Sequence, residues 1–193
     1  MPWPTIGLGR GAPLNNARIE HGIPRMPAGF TLRIATPEDQ SPVSDLLNAS
    51  YPSLMPSSYE EDVLAAALPI MTRANPALLS AGTYYVAQTK GGLIVGCGGW
   101  TRERPGKGDV APALGHIRHF ATHPEWTGRT IGRSIYALCE EQARSAGVRR
   151  FECYSSLNAE GFYAALGFRS VRQIEIPVGR GVTLPSVLME RLI

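Results

Sequence analysis

Cysteine is scarce. The 193 residues hold three, Cys97, Cys139 and Cys153, far apart in the chain. The odd number and wide spacing exclude the close pairs of a zinc site and the pattern of a disulfide framework. Each falls in an apolar periodic segment, so all three are expected as buried free thiols in a reducing compartment. Long hydrophobic runs are absent, and no stretch is expected to span a bilayer. The opening residues Met1-Pro2-Trp3-Pro4-Thr5 carry no charged segment leading into an apolar one, so no secretory signal is expected. Runs of lysine and arginine are missing too. The formal net charge is +3, and Arg10, Arg18 and Arg25 against Glu20 place most of that excess in residues 1–29. That is not the footprint of a nucleic-acid binder, although local arginines suit a small polyanionic ligand. These absences leave a cytoplasmic protein with no metal, no membrane and no nucleic acid among its expected partners.

What is present is a globular composition, 44% hydrophobic and 18% charged. The length fits one domain with a core that needs no cross-links. Residues 1–29, rich in Pro, Gly and Asn, read as an irregular N-terminal extension, and residues 30–193 as the single domain. Phe30, Leu32 and Ile34 alternate with Thr31 and Arg33, a half-buried strand. Thr36-Pro37-Glu38-Asp39 then opens a helix, with a cap, a proline suited to the first position and two acids at the positive end of the dipole. Ser58-Tyr59-Glu60-Glu61 resembles a capping box and is expected to start a second helix through Leu68.

Tyr84–Thr89 and Leu93–Thr101 read as strands joined by a turn at Lys90-Gly91-Gly92. A polar loop spans 102–114, and another strand covers about His116–Thr122. Ile131, Ile135, Leu138 and Gln142/Ala143 form a helical stripe that ends at Gly147. Arg150–Tyr154 is a strand, Asn158–Leu166 a short helix, and two strands close the chain near Phe168–Pro177 and Leu184–Leu192. The strand–helix–strand unit at 116–154 implies a parallel pair with a crossover helix, and the hairpins imply antiparallel neighbours. The expected class is α/β (α+β): a mixed, mostly antiparallel sheet of about seven strands with helices on both faces.

Two segments carry chemistry. The first, His123-Pro124-Glu125-Trp126-Thr127-Gly128-Arg129-Thr130-Ile131-Gly132-Arg133-Ser134, joins a strand to the long helix. The first turn of a helix has unpaired N–H groups and partial positive charge, so a phosphate can sit there beside Arg129 and Arg133. No Gly-Lys-Ser/Thr ending makes it a P-loop, and the glycine spacing is not that of a dinucleotide fingerprint. An ordinary helix start with exposed arginines fits the same spacing.

The second segment is Asn158-Ala159-Glu160-Gly161-Phe162-Tyr163-Ala164-Ala165-Leu166-Gly167-Phe168. Ala159, Phe162, Tyr163 and Leu166 share one helical face, which by itself reads as core.

The stretch from Ile117-Arg118-His119-Phe120-Ala121-Thr122-His123-Pro124 through Gly132-Arg133 resembles the acetyl-coenzyme A motif of the GCN5-related N-acetyltransferase (GNAT) family. The family's Gln/Arg-x-x-Gly-x-Gly/Ala loop falls on Thr127-Gly128-Arg129-Thr130-Ile131-Gly132. Thr127 stands in place of Gln/Arg, Thr130 in place of the first Gly, and Gly132 is kept. The resemblance implies that backbone amides of this loop hold the pyrophosphate of coenzyme A. It implies a splayed central parallel pair, with the pantetheine arm lying along Phe120, Ala121 and Thr122 of a bulged strand. A bulge N–H would polarise the thioester carbonyl. Asn-x-x-x-Phe-Tyr-x-x-Leu-Gly-Phe also recurs in the family, which implies that Asn158 contacts the pantetheine arm and that Tyr163 protonates the departing thiolate. An ordinary phenol, pKa ~10, and a thiol of ~8.5 make that transfer nearly balanced.

The resemblance therefore implies an acetyl-CoA-dependent N-acetyltransferase in which the amine attacks the thioester directly within a ternary complex. The alternatives are a sensor of the same fold without turnover, or a transferase using another acyl-CoA. His116, His119 and Glu125 are candidate bases, His119 the best placed. A route through one of the cysteines stays open. The acceptor, a small-molecule or peptide amine, is expected near Tyr51, Met55, Tyr59 and Glu60. A homodimer is compatible with these features.

Overall fold

A computed structural model of the chain describes residues 29–179 and 181–193. The extension expected over residues 1–29 lies outside the described residues except for its last member. The described strands are β1 (Phe30–Ile34), β2 (Tyr84–Thr89), β3 (Ile94–Thr101), β4 (Leu114–Thr122), β5 (Arg150–Ser156), β6 (Arg169–Gly179) and β7 (Val182–Leu192). They form one seven-stranded sheet in the order β1-β2-β3-β4-β5-β7-β6. Every neighbouring pair is antiparallel except β4 and β5. That parallel pairing lasts only from Leu114↔Arg150 through Gly115↔Phe151 to His116↔Glu152. Beyond His116 the two strands part, which is the expected splay.

Helices cover both faces. The crossover helix α4 (Ile131–Ser145) buries Ile131, Ile135, Tyr136, Cys139 and Ala143 on one side. These pack with Trp100, Ile117 and Phe151 of the sheet in the larger core. Each large apolar side chain so buried contributes ~1.5–3 kcal/mol. Gln142 interrupts the stripe without leaving an orphaned amide. Its Oε1 accepts from Tyr85 (2.9 Å) and Trp100 (3.0 Å), and its Nε2 donates to the Gly82 carbonyl at 3.0 Å. Gly147 follows the helix at φ +82, the left-handed stop that was expected. On the opposite face, α1 (Gln40–Leu54) sets Val43, Leu46 and Leu47 against Tyr84, Val86 and Cys97. Farther along, α2 (Glu61–Met71) packs Leu64 and Ala67 with Met55 and Leu184.

Several boundaries differ from the sequence reading. A single turn, Pro37–Asp39, precedes α1, and Asp39 does more than favour the dipole: it accepts the Thr36 N–H at 2.8 Å and binds Arg33 through both oxygens at 2.7 Å. Ser58 caps nothing. It ends a short turn, Pro56–Ser58, and α2 starts at Glu61 after an uncapped Glu60. A helical turn that was not anticipated, α3 (Pro76–Leu79), is capped by the Asn75 side chain accepting the Ala77 N–H at 3.0 Å. The short helix near Asn158 splits into a turn, Leu157–Ala159, and α5 (Glu160–Ala165).

Candidate active site

Where β4 leaves β5, it also bulges away from β3. Cys97 pairs with Ala121 and Gly99 with Arg118, so Gly98 alone faces both His119 and Phe120. His119 takes φ +45 to make this possible, a conformation histidine tolerates better than most side chains. Its carbonyl accepts from the Tyr84 hydroxyl at 2.8 Å and the Cys97 thiol at 3.7 Å. The Phe120 ring fills the space over Gly98, where a Cβ would lie 2.6 Å from it. That ring packs in turn on Phe162 (6.1 Å between centroids) and Tyr163 (6.2 Å).

A cavity of about 740 Å³ lies against the gap between β4 and β5. Of the residues singled out in the sequence, His119, Phe120, Ala121, Thr122, Thr127, Gly128, Thr130, Ile131, Gly132, Arg133, Asn158 and Tyr163 line it. Arg129 is not among them. Its guanidinium is laid over the Trp126 ring, 4.6 Å from the centroid.

The loop into α4 leaves main-chain donors at the cavity wall. The first main-chain bond of the helix is from Ser134 N–H to the Thr130 carbonyl, 2.9 Å, and no side chain caps the end. The amides of Ile131, Gly132 and Arg133 precede that bond on the cavity wall, where the dipole is positive. These groups fit a pyrophosphate. The two threonines spend their hydroxyls locally: Thr127 donates to the Pro124 carbonyl at 2.9 Å, and Thr130 to the Arg129 carbonyl at 2.6 Å. Gly132 answers to packing, since a Cβ there would sit 2.9 Å from the Phe162 ring.

Thr130 adopts φ 63, ψ 6, the left-handed region, at the position where the family loop carries glycine. A left-handed conformation costs a side-chain-bearing residue ~1–2 kcal/mol, and β-branching adds crowding. Thr130→Gly relieves it, offset in part by the freer unfolded chain. The expected net gain is ~0.5–1 kcal/mol in chemical denaturation, with tighter binding of coenzyme A. A variant less stable than the parent would contradict the strain.

Tyr163, on α5, is 5% exposed and stacks edge-on against Phe168 and Phe162 as well as Phe120. Burial, and then the neighbouring Cys153 thiol, push its phenol well above the ordinary range. The near balance expected against a thiolate is therefore lost, and the phenol stays protonated throughout any assay range. Cys153, on β5 in the same wall, is itself pushed up to about 12 by burial. Cys97 is likewise raised to about 12 and Cys139 is raised by burial. All three are buried free thiols, and none has the thiolate character of a nucleophile.

The three candidate bases separate. Glu125 is exposed outside the cavity. His116 is buried beneath the sheet surface, with Nδ1 lacking an acceptor and Glu152 3.7 Å away, too far for a hydrogen bond. Burial, then Arg104 and Arg118, hold it at about 4. His119 alone lines the cavity, and it is exposed to solvent there; desolvation, then Arg118, lower its imidazole pKa from the ordinary value, but on a ring that water reaches. In the unfolded chain His116 titrates near 6.5. Between the two values the unfolded state binds more protons, so the stability that buried His116 contributes is present above pH ~6.5 and is lost as pH falls toward ~4. Urea midpoints should drop across that window, and a His116→Asn variant should flatten the drop. An unchanged slope would remove His116 as its source.

On the acceptor side, Tyr51 and Met55 line the cavity as expected, but Tyr59 and Glu60 do not. Tyr59 is a tie: its hydroxyl donates to the Pro185 carbonyl (2.9 Å) and accepts the Leu157 N–H (2.8 Å). The sequence reading missed Arg118 as a wall residue, and also Ile70 and Met71 of α2 and Ile176, Val178 and Leu184 of the last hairpin. Strand alternation marks such residues as inward or outward, but only the meeting of α2 with the hairpin makes them a wall. Among the described residues no cluster of three or more His, Cys, Asp or Glu is placed to hold a metal. No described helix is long and apolar enough to cross a membrane.

The sequence model of the acetyltransferase (GNAT) family matches residues 42–168. No curated protein matches the chain. Among solved structures, the chain is similar to a GCN5-related N-acetyltransferase from Rhodopseudomonas palustris, 22% identical over 86% of this chain and 98% of that one, TM-score 0.67. It is similar to the PaiA N-acetyltransferase of Thermoplasma acidophilum, solved with coenzyme A, at 15% identity over 85% and 99% of the two chains, TM-score 0.63. It also resembles an N-acetylglutamate synthase from Neisseria gonorrhoeae, 18% identical over 86% of this chain and 35% of that one, TM-score 0.55. At these identities the likeness establishes a shared fold.

Proposed function

The chain belongs to the acetyltransferase (GNAT) family, and on that premise we propose that it moves an acetyl group from acetyl-coenzyme A to a primary amine of a small molecule or peptide. A transferase role comes with the family; the acetyl donor, the amine acceptor and a place in the cytoplasm are the finer reading. The observation that carries it is the conjunction, in one cavity, of uncapped amides at the start of α4, a bulged strand facing a gap, and Tyr163 in the wall.

In this reading the amides of Ile131, Gly132 and Arg133 bind the pyrophosphate, helped by the Arg133 side chain. The backbone of Phe120, Ala121 and Thr122 takes the pantetheine arm along the free edge of β4, and Asn158 contacts it from the far side. A main-chain N–H in the bulge faces the thioester oxygen as charge develops there. The amine attacks directly, so the main catalytic contribution is positioning. Tyr163, protonated at every working pH, donates to the departing sulfur, and the proton released by the amine returns to its phenolate through water. His119 accepts a proton from the amine, directly or through water. With its pKa lowered from the ordinary imidazole value, it is neutral across the alkaline range. The alkaline rise of kcat/KM therefore belongs to the acceptor's own ammonium group.

Incubation with acetyl-coenzyme A alone tests direct attack. The intact protein should gain no acetyl mass, because its three thiols are buried and raised. A stoichiometric acetyl-enzyme on Cys153 would overturn it.

A second reading, a sensor that binds acyl-coenzyme A without turnover, draws on Thr130. A strained β-branched residue at the loop's tightest point weakens the anion site without removing its amides. Binding without transfer to any amine in a broad panel would favour it.

A further inference from the structure

Arg118 is the last β4 residue before the bulge, and it lines the cavity. Its guanidinium is fixed: Nη1 donates to the Thr101 hydroxyl at 2.9 Å, and that hydroxyl spends its own proton on the Glu103 carbonyl, also at 2.9 Å. Thr101 is thus held as an acceptor for Arg118.

The remaining donors of Arg118 have no ion-pair partner among the described residues. The charge pairs of the fold engage Arg33, Arg104, Arg144, Arg150, Arg169 and Arg191 instead. Glu103 is the carboxylate whose field reaches Arg118, and it is exposed and not within ion-pair distance. Burial pulls the guanidinium pKa down, so its charge is held at a cost.

The rest of the wall defines what would answer that charge. Among the described residues no Asp or Glu lines the cavity, so nothing described there favours a polycationic acceptor. The acceptor half is mainly apolar, with Ser50, Tyr51 and Ser186 among Leu54 of α1, Met55 just after it, Ile70 and Met71 from α2, and Val178 and Leu184 from the last hairpin. Among the described residues of the wall the other arginine, Arg133, stands at the start of α4, on the side assigned to the phosphates.

Building on the acetyltransferase reading, we infer that Arg118 receives the carboxylate of the acceptor, and that the acceptor is an amino acid with an apolar side chain. A half-buried cation without an ion pair gains most from a bidentate carboxylate, which guanidinium geometry matches. The apolar wall of α1, α2 and the hairpin takes the side chain. The bulge, one residue on, is where the amine must arrive, so amine and carboxylate are only a few bonds apart in the ligand.

The test is equilibrium binding of reaction-product probes to the protein saturated with coenzyme A. The probes are N-acetylleucine, N-acetylmethionine and N-acetylphenylalanine, each beside its carboxamide. The wild-type protein should bind at least one acid about tenfold or more tighter than its amide. Arg118→Gln should bind acid and amide alike, and Arg118→Lys, which keeps the charge without the fork, should fall between them. Both variants should bind coenzyme A as the wild type does, which shows that the cavity has kept its shape. Equal binding of acids and amides by the wild type overturns the inference. So does a preference that survives in Arg118→Gln, or failure of all three acids to bind a protein that holds coenzyme A. Failure of coenzyme A itself to bind overturns the acetyltransferase reading beneath it.

Discussion

Tyr163→Phe is expected to lower kcat by about a hundredfold or more, the usual worth of a positioned proton donor, while leaving the affinity for acetyl-coenzyme A unchanged. The substitution removes one oxygen from a ring held by Phe120, Phe162 and Phe168. The polar neighbour of that oxygen is the buried Cys153 thiol, a weak partner. Little stability is lost, and a denaturation midpoint close to the parent's is part of the expectation. The pH dependence should keep its shape, because a phenol raised well above its ordinary range contributes no ionisation to the profile. A variant with parental kcat would return Tyr163 to the core role that its place on an apolar helical face suggests.

Gly98→Ala should have an effect of similar size for a different reason. The new methyl would lie 2.6–2.7 Å from the Phe120 ring, against the residue that shapes the bulge. Overpacking of this kind costs ~1–3 kcal/mol. The ring has little room to yield, since Phe162 and Tyr163 stand behind it. Displacing β4 moves the backbone proposed to align the thioester, and kcat/KM should fall by about a hundredfold. Gly91→Ala, in the turn between β2 and β3, is the control. Its Cβ would meet only the Thr89 hydroxyl at 3.9 Å, so stability and activity should both stay near the parent's. If Gly98→Ala loses stability but keeps kcat/KM at a temperature where it is folded, the bulge geometry is not part of catalysis.

Alternation and turn residues made the sheet legible. β2 was read at its true bounds, and the hairpin at Lys90-Gly91-Gly92 and the α4 stop at Gly147 follow from local chemistry that acts within a few residues. α3 was equally within reach, since Asn75-Pro76 is a cap followed by a proline at the first helical position, but one turn of helix has too little periodicity to stand out. Ser58 does not cap because Tyr59 after it is extended, φ -141 and ψ 148, rather than the first residue of a helix, and Tyr59 is held there by distant partners. Its hydroxyl joins Pro185 to Leu157, residues more than ninety positions away, and no local pattern carries that demand. The same limit hid the walls of the cavity. The loop into α4 and the Asn158–Tyr163 segment are each continuous in sequence, whereas Arg118, Met71 and Val178 meet only once β4, α2 and the last hairpin have folded together. The left-handed backbone of Thr130 was also out of sight, because a threonine gives no warning of a conformation that it disfavours.

The most direct measurement is a calorimetric titration of the purified protein with acetyl-coenzyme A, with free coenzyme A alongside. Uncapped amides at the start of α4 and an open edge of β4 predict micromolar binding, about −8 kcal/mol, for both ligands. The Thr130→Gly variant should bind more tightly still. Absence of heat at ligand concentrations about a hundredfold higher would contradict the pyrophosphate site, and with it the transfer reaction proposed for this cavity.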